Sequence, residues 1–238
     1  MEEKKERIEI IDAVRGLAIL LMVIHHALFN AQKFLDAPGW VYNHPILRVL
    51  QIFFVGVFVF VSGTSSRFSR GNIQRGSMVF VVAMMVTYVT VRIVDLPIWF
   101  GILHILATFM IFYGFTRKLW DKIPSKIAPF LYIALIVISA LIKENNAPTS
   151  EIPVVRDLLF VLGWSQEGFK NYDTWGLLPW IFVFLLGTWA GGIIREGRLP
   201  KWFYETKVPF FPFLGRHTLI IYVLHQPVLY GITMLLVI

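Results

Sequence analysis

Apolar residues in this chain fall into seven long runs, near 14–30, 47–65, 76–96, 98–116, 126–143, 175–194 and 212–237, with short polar stretches between them. A helix of about twenty apolar residues crosses a hydrocarbon core of roughly 30 Å. The pattern therefore predicts an all-α protein, a polytopic transmembrane helix bundle of about seven spans, forming one domain over residues 1–238. Two polar segments stand apart from the short connections. Residues 31–46 hold Pro38, Gly39, Trp40 and His44. Residues 144–174 form the longest loop, in which IPVVRDLLFVLGW reads as a short interfacial helix followed by SQEGFKNYDTW.

Polar residues inside the apolar runs carry the chemistry. Arg15 and His26 lie in the first run, RGLAILLMVIHH. Eleven residues at about 100° each return the helix to within about 20° of its starting direction, so the two share a face, roughly 16 Å apart along the axis. Ionisable groups at membrane depth are costly and need a reason. The plain alternatives are that Arg15 snorkels to lipid phosphates and that His26 is a core histidine bonded to a carbonyl. Asp12, three residues before Arg15, either pairs with it or caps the helix start. His25 points about 100° away from His26.

Further along, His104 sits in the fourth run and His225 in the last, directly before Gln226 and Pro227. Pro227 removes a backbone donor and should loosen the helix beside a His-Gln pair. Ser62, Gly63, Thr64 and Ser65 close the second run and allow close helix approach; Arg67, Arg70 and Arg75 follow. Those arginines and Arg216 suit phosphates or simply mark the cytoplasmic side. Trp40, Trp164, Tyr172 and Trp175 can stack on a sugar or belong to an interfacial aromatic belt. Gly187, Gly191 and Gly192 read as helix-packing glycines.

Of 238 residues, 57% are hydrophobic and 16% charged, with a net charge of +7. The basic residues explain that charge by their placement. Lys4, Lys5, Arg7, Arg67, Arg70, Arg75, Arg117, Lys118, Lys122, Lys126, Arg195, Arg198, Lys201 and Lys207 fall on one side. Lys33, Arg48, Arg92, Lys143, Arg156 and Lys170 fall on the other. The bias predicts an N-in, C-out topology and removes the need for a nucleic-acid partner. MEEKKERIEIID, followed by a long apolar run without a small-residue cleavage site, reads as a retained first helix. The absence of cysteine excludes thiolate chemistry, and the absence of a P-loop excludes the usual nucleotide hydrolysis signature.

Several segments then occur in a telling order: IDAVRGLAILLMVIHH, FVFVSGTSS, FGILHILATFMIFYGF, YDTWGLLPWIFVFLLGTWAGG and LGRHTLIIYVLHQPVL. Over nearly its whole length the chain resembles the catalytic domain of heparan-α-glucosaminide N-acetyltransferase and its shorter prokaryotic relatives. Arg15 and His26 also resemble the arginine–ten residues–histidine signature of the membrane acyltransferase-3 proteins, which modify cell-surface sugars. The resemblance implies an integral membrane acyltransferase of the inner, cytoplasmic cell membrane. It would carry an acetyl group from cytoplasmic acetyl-CoA to an extracytoplasmic sugar or amino sugar. By that resemblance His26 matches the acyltransferase-3 histidine, and His44 falls near the extracytoplasmic-loop histidine of the heparan enzyme.

The expected catalytic set is His26, His44, His104 and Arg15. Arg67, Arg70, Arg75, Arg216, Ser62 and Ser65 are expected at the acetyl-CoA, and Asp12, Tyr172, Asp173, Trp175, His225 and Gln226 at the acceptor; no metal is expected. A histidine acts either as a base for direct transfer or as the acyl carrier. Membrane lipid is the surrounding partner, and packing glycines are compatible with a homodimer. Two other classes stay open: a transporter or flippase for a lipid-linked or sugar substrate, and a cytochrome with haem held by histidines such as His26 and His104. A retinal protein is excluded because the last run has no lysine.

Overall fold

The computed structural model describes residues 7–145, 153–164 and 172–237; the basic residues Lys4, Lys5 and Lys170, and positions 165–171 of the long loop, lie outside them. The helices in chain order are α1 (Glu9–Phe34), α2 (Trp40–Asn43), α3 (Pro45–Phe68), α4 (Asn72–Arg92), α5 (Ile102–Trp120) and α6 (Ala128–Asn145). They continue with α7 (Pro153–Leu162), α8 (Trp180–Arg195), α9 (Lys201–Glu205), α10 (Phe211–Arg216) and α11 (Thr218–Val237). Among the described residues there is no strand. Five helices, α1, α3, α4, α5 and α11, are long and apolar enough to cross a membrane; α6 and α8 are shorter apolar helices. These seven correspond to the seven apolar runs, and the protein is a polytopic helical bundle.

Several boundaries shift by four or five residues from the hydropathy reading, and two of the helix starts have a visible local cause. The last run begins as a separate short helix, α10, and α11 starts only at Thr218. The break falls at His217, with φ −104° and ψ 15°, while α10 itself is entered through Phe210, where a φ of 63° and the Phe211 N–H bond to Pro209 C=O at 2.7 Å have the geometry of a tight γ-turn. The fourth run begins four residues later than hydropathy suggests, at Ile102, because residues 97–101 form a loop on which another segment lies. The interfacial stretch of the long loop does contain a helix, α7.

The chain groups into two compact units, residues 1–61 with 197–238, and residues 62–196. In the first, α1 packs against α10, α11 and α2. Its contact with α10 is backbone to backbone. A Cβ added at Gly16 would lie 2.0 Å from Phe211 O, and one at Gly215 would lie 1.9 Å from Asp12 O. Only glycines permit this approach.

In the second unit α4 packs along α5, and α6 along α8. Gly63 meets Phe184 O, and Gly191 meets Thr64 O, in the same manner. Thr64 Oγ1 donates to Gly187 O at 3.1 Å across this contact. Side-chain hydroxyls elsewhere, such as Thr90, Thr108, Thr116 and Ser139, donate to carbonyls of their own helices. That satisfies them without water, as a hydrocarbon surrounding requires.

Candidate active site

The first unit gathers two polar clusters along α1. The first lies around its opening turns. Arg15 Nη1 donates to Asp12 Oδ1 at 3.1 Å and to Gly215 O at 3.4 Å. Arg216 Nε lies 3.8 Å from Asp12 Oδ2, and Arg216 Nη2 lies 4.0 Å from Glu9 Oε1. Lys207 Nζ is 3.8 Å from the same Glu9 oxygen, while Val208 N–H donates to Glu9 Oε2 at 3.0 Å. Three cations therefore face two carboxylates, and the Gly16–Gly215 contact brings α10 close enough to form the group. Of the expected residues, Arg15, Asp12 and Arg216 meet here.

The second cluster lies about eleven residues along the same helix. His26 and His225 have ring centroids 4.9 Å apart at 61°. Gln226 Nε2 donates to His26 Nδ1 at 3.0 Å, and Asn30 Nδ2 donates to Gln226 Oε1 at 3.3 Å. His225 Nδ1 donates to Tyr222 O, so its proton is on Nδ1. Its Nε2 keeps a lone pair, buried and without a hydrogen-bond partner. His25 stacks beside Tyr42 at 4.9 Å, and its Nε2 is likewise buried without a partner.

The expected His26, His225 and Gln226 are thus one cluster, which also contains Asn30, a residue that hydropathy reading passed over. Its position four residues after His26 puts it on the same helix face, the one sequence signal that could have found it. His44 stands apart from this cluster. It is exposed at the start of α3, where its Nδ1 accepts from Ile46 N–H at 3.3 Å and its carbonyl accepts from Leu47 and Arg48.

The second unit holds the remaining expected residues. His104 is buried at the start of α5, with Nδ1 accepting from Gly101 N–H and Nε2 on Thr87 Oγ1, both at 3.2 Å. Thr87 passes its own proton to Ile98 O at 2.7 Å. Both ring nitrogens of His104 are therefore occupied in pinning the 97–101 loop. Over that loop lies the YDTW segment: Tyr172 N–H bonds Pro97 O and Trp175 N–H bonds Phe100 O, each at 3.1 Å. Trp175 Nε1 donates to Asp173 Oδ1 at 2.6 Å, and its ring packs edge-on to Trp180. Burial pushes the Asp173 pKa up to about 6, against the hydrogen bond from the Trp175 indole, which lowers it.

At the other end of α5, Arg67 bonds Asp121 and donates to Tyr113 Oη at 3.1 Å. Arg117 Nε lies 3.6 Å from the second Asp121 oxygen. Arg70 and Arg75 are exposed and form no ion pair among the described residues. Ser62 accepts at its carbonyl from Ser66 Oγ at 2.9 Å, and Ser65 is half-buried one residue after Thr64.

A family model described as heparan-alpha-glucosaminide N-acetyltransferase, catalytic, matches residues 7–227. Searches of curated proteins and of solved structures give no match. The matched range runs from the first turn before α1 to Pro227 in α11 and so takes in both polar clusters of the first unit.

Proposed function

Because this chain belongs to the heparan-alpha-glucosaminide N-acetyltransferase catalytic family, we propose that it transfers an acetyl group from cytoplasmic acetyl-CoA to a sugar or amino-sugar acceptor across the membrane. The observation that carries this reading is the histidine pair. His225 offers a buried Nε2 lone pair beside His26, with its tautomer held by the Tyr222 carbonyl. That is the arrangement a general base needs: a free acceptor nitrogen, oriented through the other one.

The chemistry follows from those atoms. The acceptor hydroxyl or amine attacks the thioester carbonyl carbon, a carbon–oxygen or carbon–nitrogen bond forms, and the acceptor proton moves to His225 Nε2. As the carbon–sulfur bond breaks, the sulfur leaves as thiolate and takes that proton from His225, giving free coenzyme A. Arg15, Arg216 and Lys207, gathered at the start of α1, suit the phosphates of the donor head. Eleven residues of helix, roughly 16 Å, separate Arg15 from His26, a span an extended pantetheine arm covers. From the sequence alone, Arg67, Arg70, Arg75, Ser62 and Ser65 are further candidates for contact with the donor phosphates. The sequence reading puts Tyr172, Asp173 and Trp175 at the acceptor, and His44 is tested as a catalytic histidine in the same experiment.

The experiment is acetyl-CoA binding and turnover by purified protein with glucosamine as acceptor. His225→Ala, His26→Ala and His44→Ala are run in parallel and checked for folding. Saturable binding with slow hydrolysis or transfer is expected, and His225→Ala should lower kcat by roughly 100-fold to 10,000-fold, the usual weight of a general base. Absence of binding by acetyl-CoA and by longer acyl-CoAs would overturn the reading and leave transport as the better explanation of the polar path.

A further inference from the structure

The two neighbouring imidazoles carry their protons on opposite nitrogens, and different partners impose this. His225 gives its Nδ1 proton to a main-chain carbonyl, which cannot reverse its polarity. His26 Nδ1 accepts a hydrogen bond from an amide, Gln226 Nε2, and Gln226 is turned that way because its Oε1 accepts from Asn30 Nδ2. Asn30 is only 3% exposed. A neutral imidazole whose Nδ1 accepts must carry its proton on Nε2. One ring therefore presents a lone pair on its Nε2 and the other an N–H on its Nε2, with the ring centroids 4.9 Å apart.

We propose that Asn30 and Gln226 are positioning residues that fix His26 as a hydrogen-bond donor, so that its Nε2–H stabilises the oxyanion while His225 takes the proton. This rests on the acetyl-transfer reading and deepens it. The tetrahedral intermediate places negative charge on the former thioester oxygen, and a preset donor in water-poor surroundings serves that charge directly. The two amides form a relay with two settings. Turned together through 180°, they would place the Nδ1 proton on His26 and free its Nε2, converting the ring from donor to acceptor.

Two-bond nitrogen–proton correlation spectra of the full-length protein, with 15N-labelled histidine, read which nitrogen of each ring is protonated and need no activity. His26→Gln identifies the His26 signals. The wild type should show His26 as the Nε2–H tautomer and His225 as the Nδ1–H tautomer. Asn30→Leu, which leaves Gln226 unoriented, should populate both tautomers of His26 and leave His225 unchanged. In turnover with acetyl-CoA, Asn30→Leu should lower kcat roughly tenfold to a hundredfold, toward the loss seen when an oxyanion donor is removed. The KM for acetyl-CoA should hold, since Asn30 lies fifteen residues along α1 from Arg15.

An Nδ1 proton on His26 in the wild type would overturn the proposal. So would a His26 tautomer that is indifferent to Asn30. The wild-type spectrum decides the proton's place even where the variant folds poorly. Correct tautomers in a protein without turnover would count against acetyl transfer and not against the relay.

Discussion

His104 spends both ring nitrogens, one on Gly101 N–H and one on Thr87, whereas His225 spends one and keeps the other buried and unpaired. The first pattern ties a loop to two helices; the second leaves a buried ring nitrogen without a hydrogen-bond partner. Sequence marked both as polar residues inside apolar runs and separated them only by the Gln226 and Pro227 that follow His225, because their hydrogen-bond partners are main-chain groups and a threonine on another helix. His26 was legible from its spacing to Arg15. Its orientation by Asn30 and Gln226 was not, since that pairing spans 196 positions between Asn30 and Gln226. Asp173 gives a prediction at the same scale. Its carboxyl is raised from 3.8 to about 6 in the folded protein, so the folded state holds the proton more tightly than the unfolded chain. Stability is then greatest below the unfolded value and declines as pH rises toward 6, by at most roughly 3 kcal/mol for a shift of that size. Thermal melts should show a falling midpoint between pH 4.5 and 6.5. Asp173→Asn, which still accepts from the Trp175 indole, should flatten that slope and raise stability at pH 7.5. An unchanged slope in the variant would assign the effect to another group.

Helices α1 and α10 meet where Gly16 and Gly215 face backbone carbonyls at distances no side chain allows. The same contact lets Arg15 reach Gly215 O and Arg216 approach Asp12, so packing and the charged cluster stand or fall together. Gly231 on α11 is the natural comparison, because a Cβ there meets nothing within 4 Å. Gly215→Ala should destabilise by about 1–3 kcal/mol through overpacking and weaken acetyl-CoA binding as the arginines part. Gly231→Ala should be neutral or stabilising by about 0.5–1 kcal/mol, the ordinary helix preference for alanine. Melting curves and acetyl-CoA titration of the two variants check this, and equal effects would mean the close approach is not what holds α10. The seven helices themselves were legible as apolar runs, since a hydrocarbon slab demands little more than length and composition. The break before α11 was not. Apolar residues stand on both sides of it, at 211–214 and 219–224, and the helix ends at His217, whose backbone leaves the helical region at φ −104° and ψ 15°. Residues 97–101 escaped for a similar reason: Ile98, Trp99 and Phe100 are apolar yet form a loop, because the YDTW segment supplies its hydrogen bonds.

In each unit large apolar side chains cover the outer helix faces, and buried hydroxyls, amides and imidazoles lie among an apolar interior. Met84, Met85 and Tyr88 of α4, Ile133, Val137 and Leu141 of α6, and Leu224, Val228 and Leu235 of α11 are all exposed, as lipid contact requires. The charge is distributed by end as well. In the second unit, Arg67, Arg117 and Asp121 meet where α3 and α5 finish, with Lys118 and Lys122 beside them. The opposite end of α5 carries His104 and the Asp173 segment. An excess of lysine and arginine marks the cytoplasmic side of a membrane protein, so the Arg67 end should face the cytoplasm, where acetyl-CoA is made. The chain has no cysteine, which allows single introduced thiols to report sidedness without background. Val94→Cys, between α4 and α5, should react with a membrane-impermeant maleimide on right-side-out vesicles, and Lys122→Cys, between α5 and α6, only on inside-out vesicles. The nineteen residues of α5, roughly 28 Å of helix, separate the two thiols, so the labelling patterns should be mutually exclusive. The reverse pattern would put the Arg67 end of this unit outside and overturn the orientation read from its lysines and arginines.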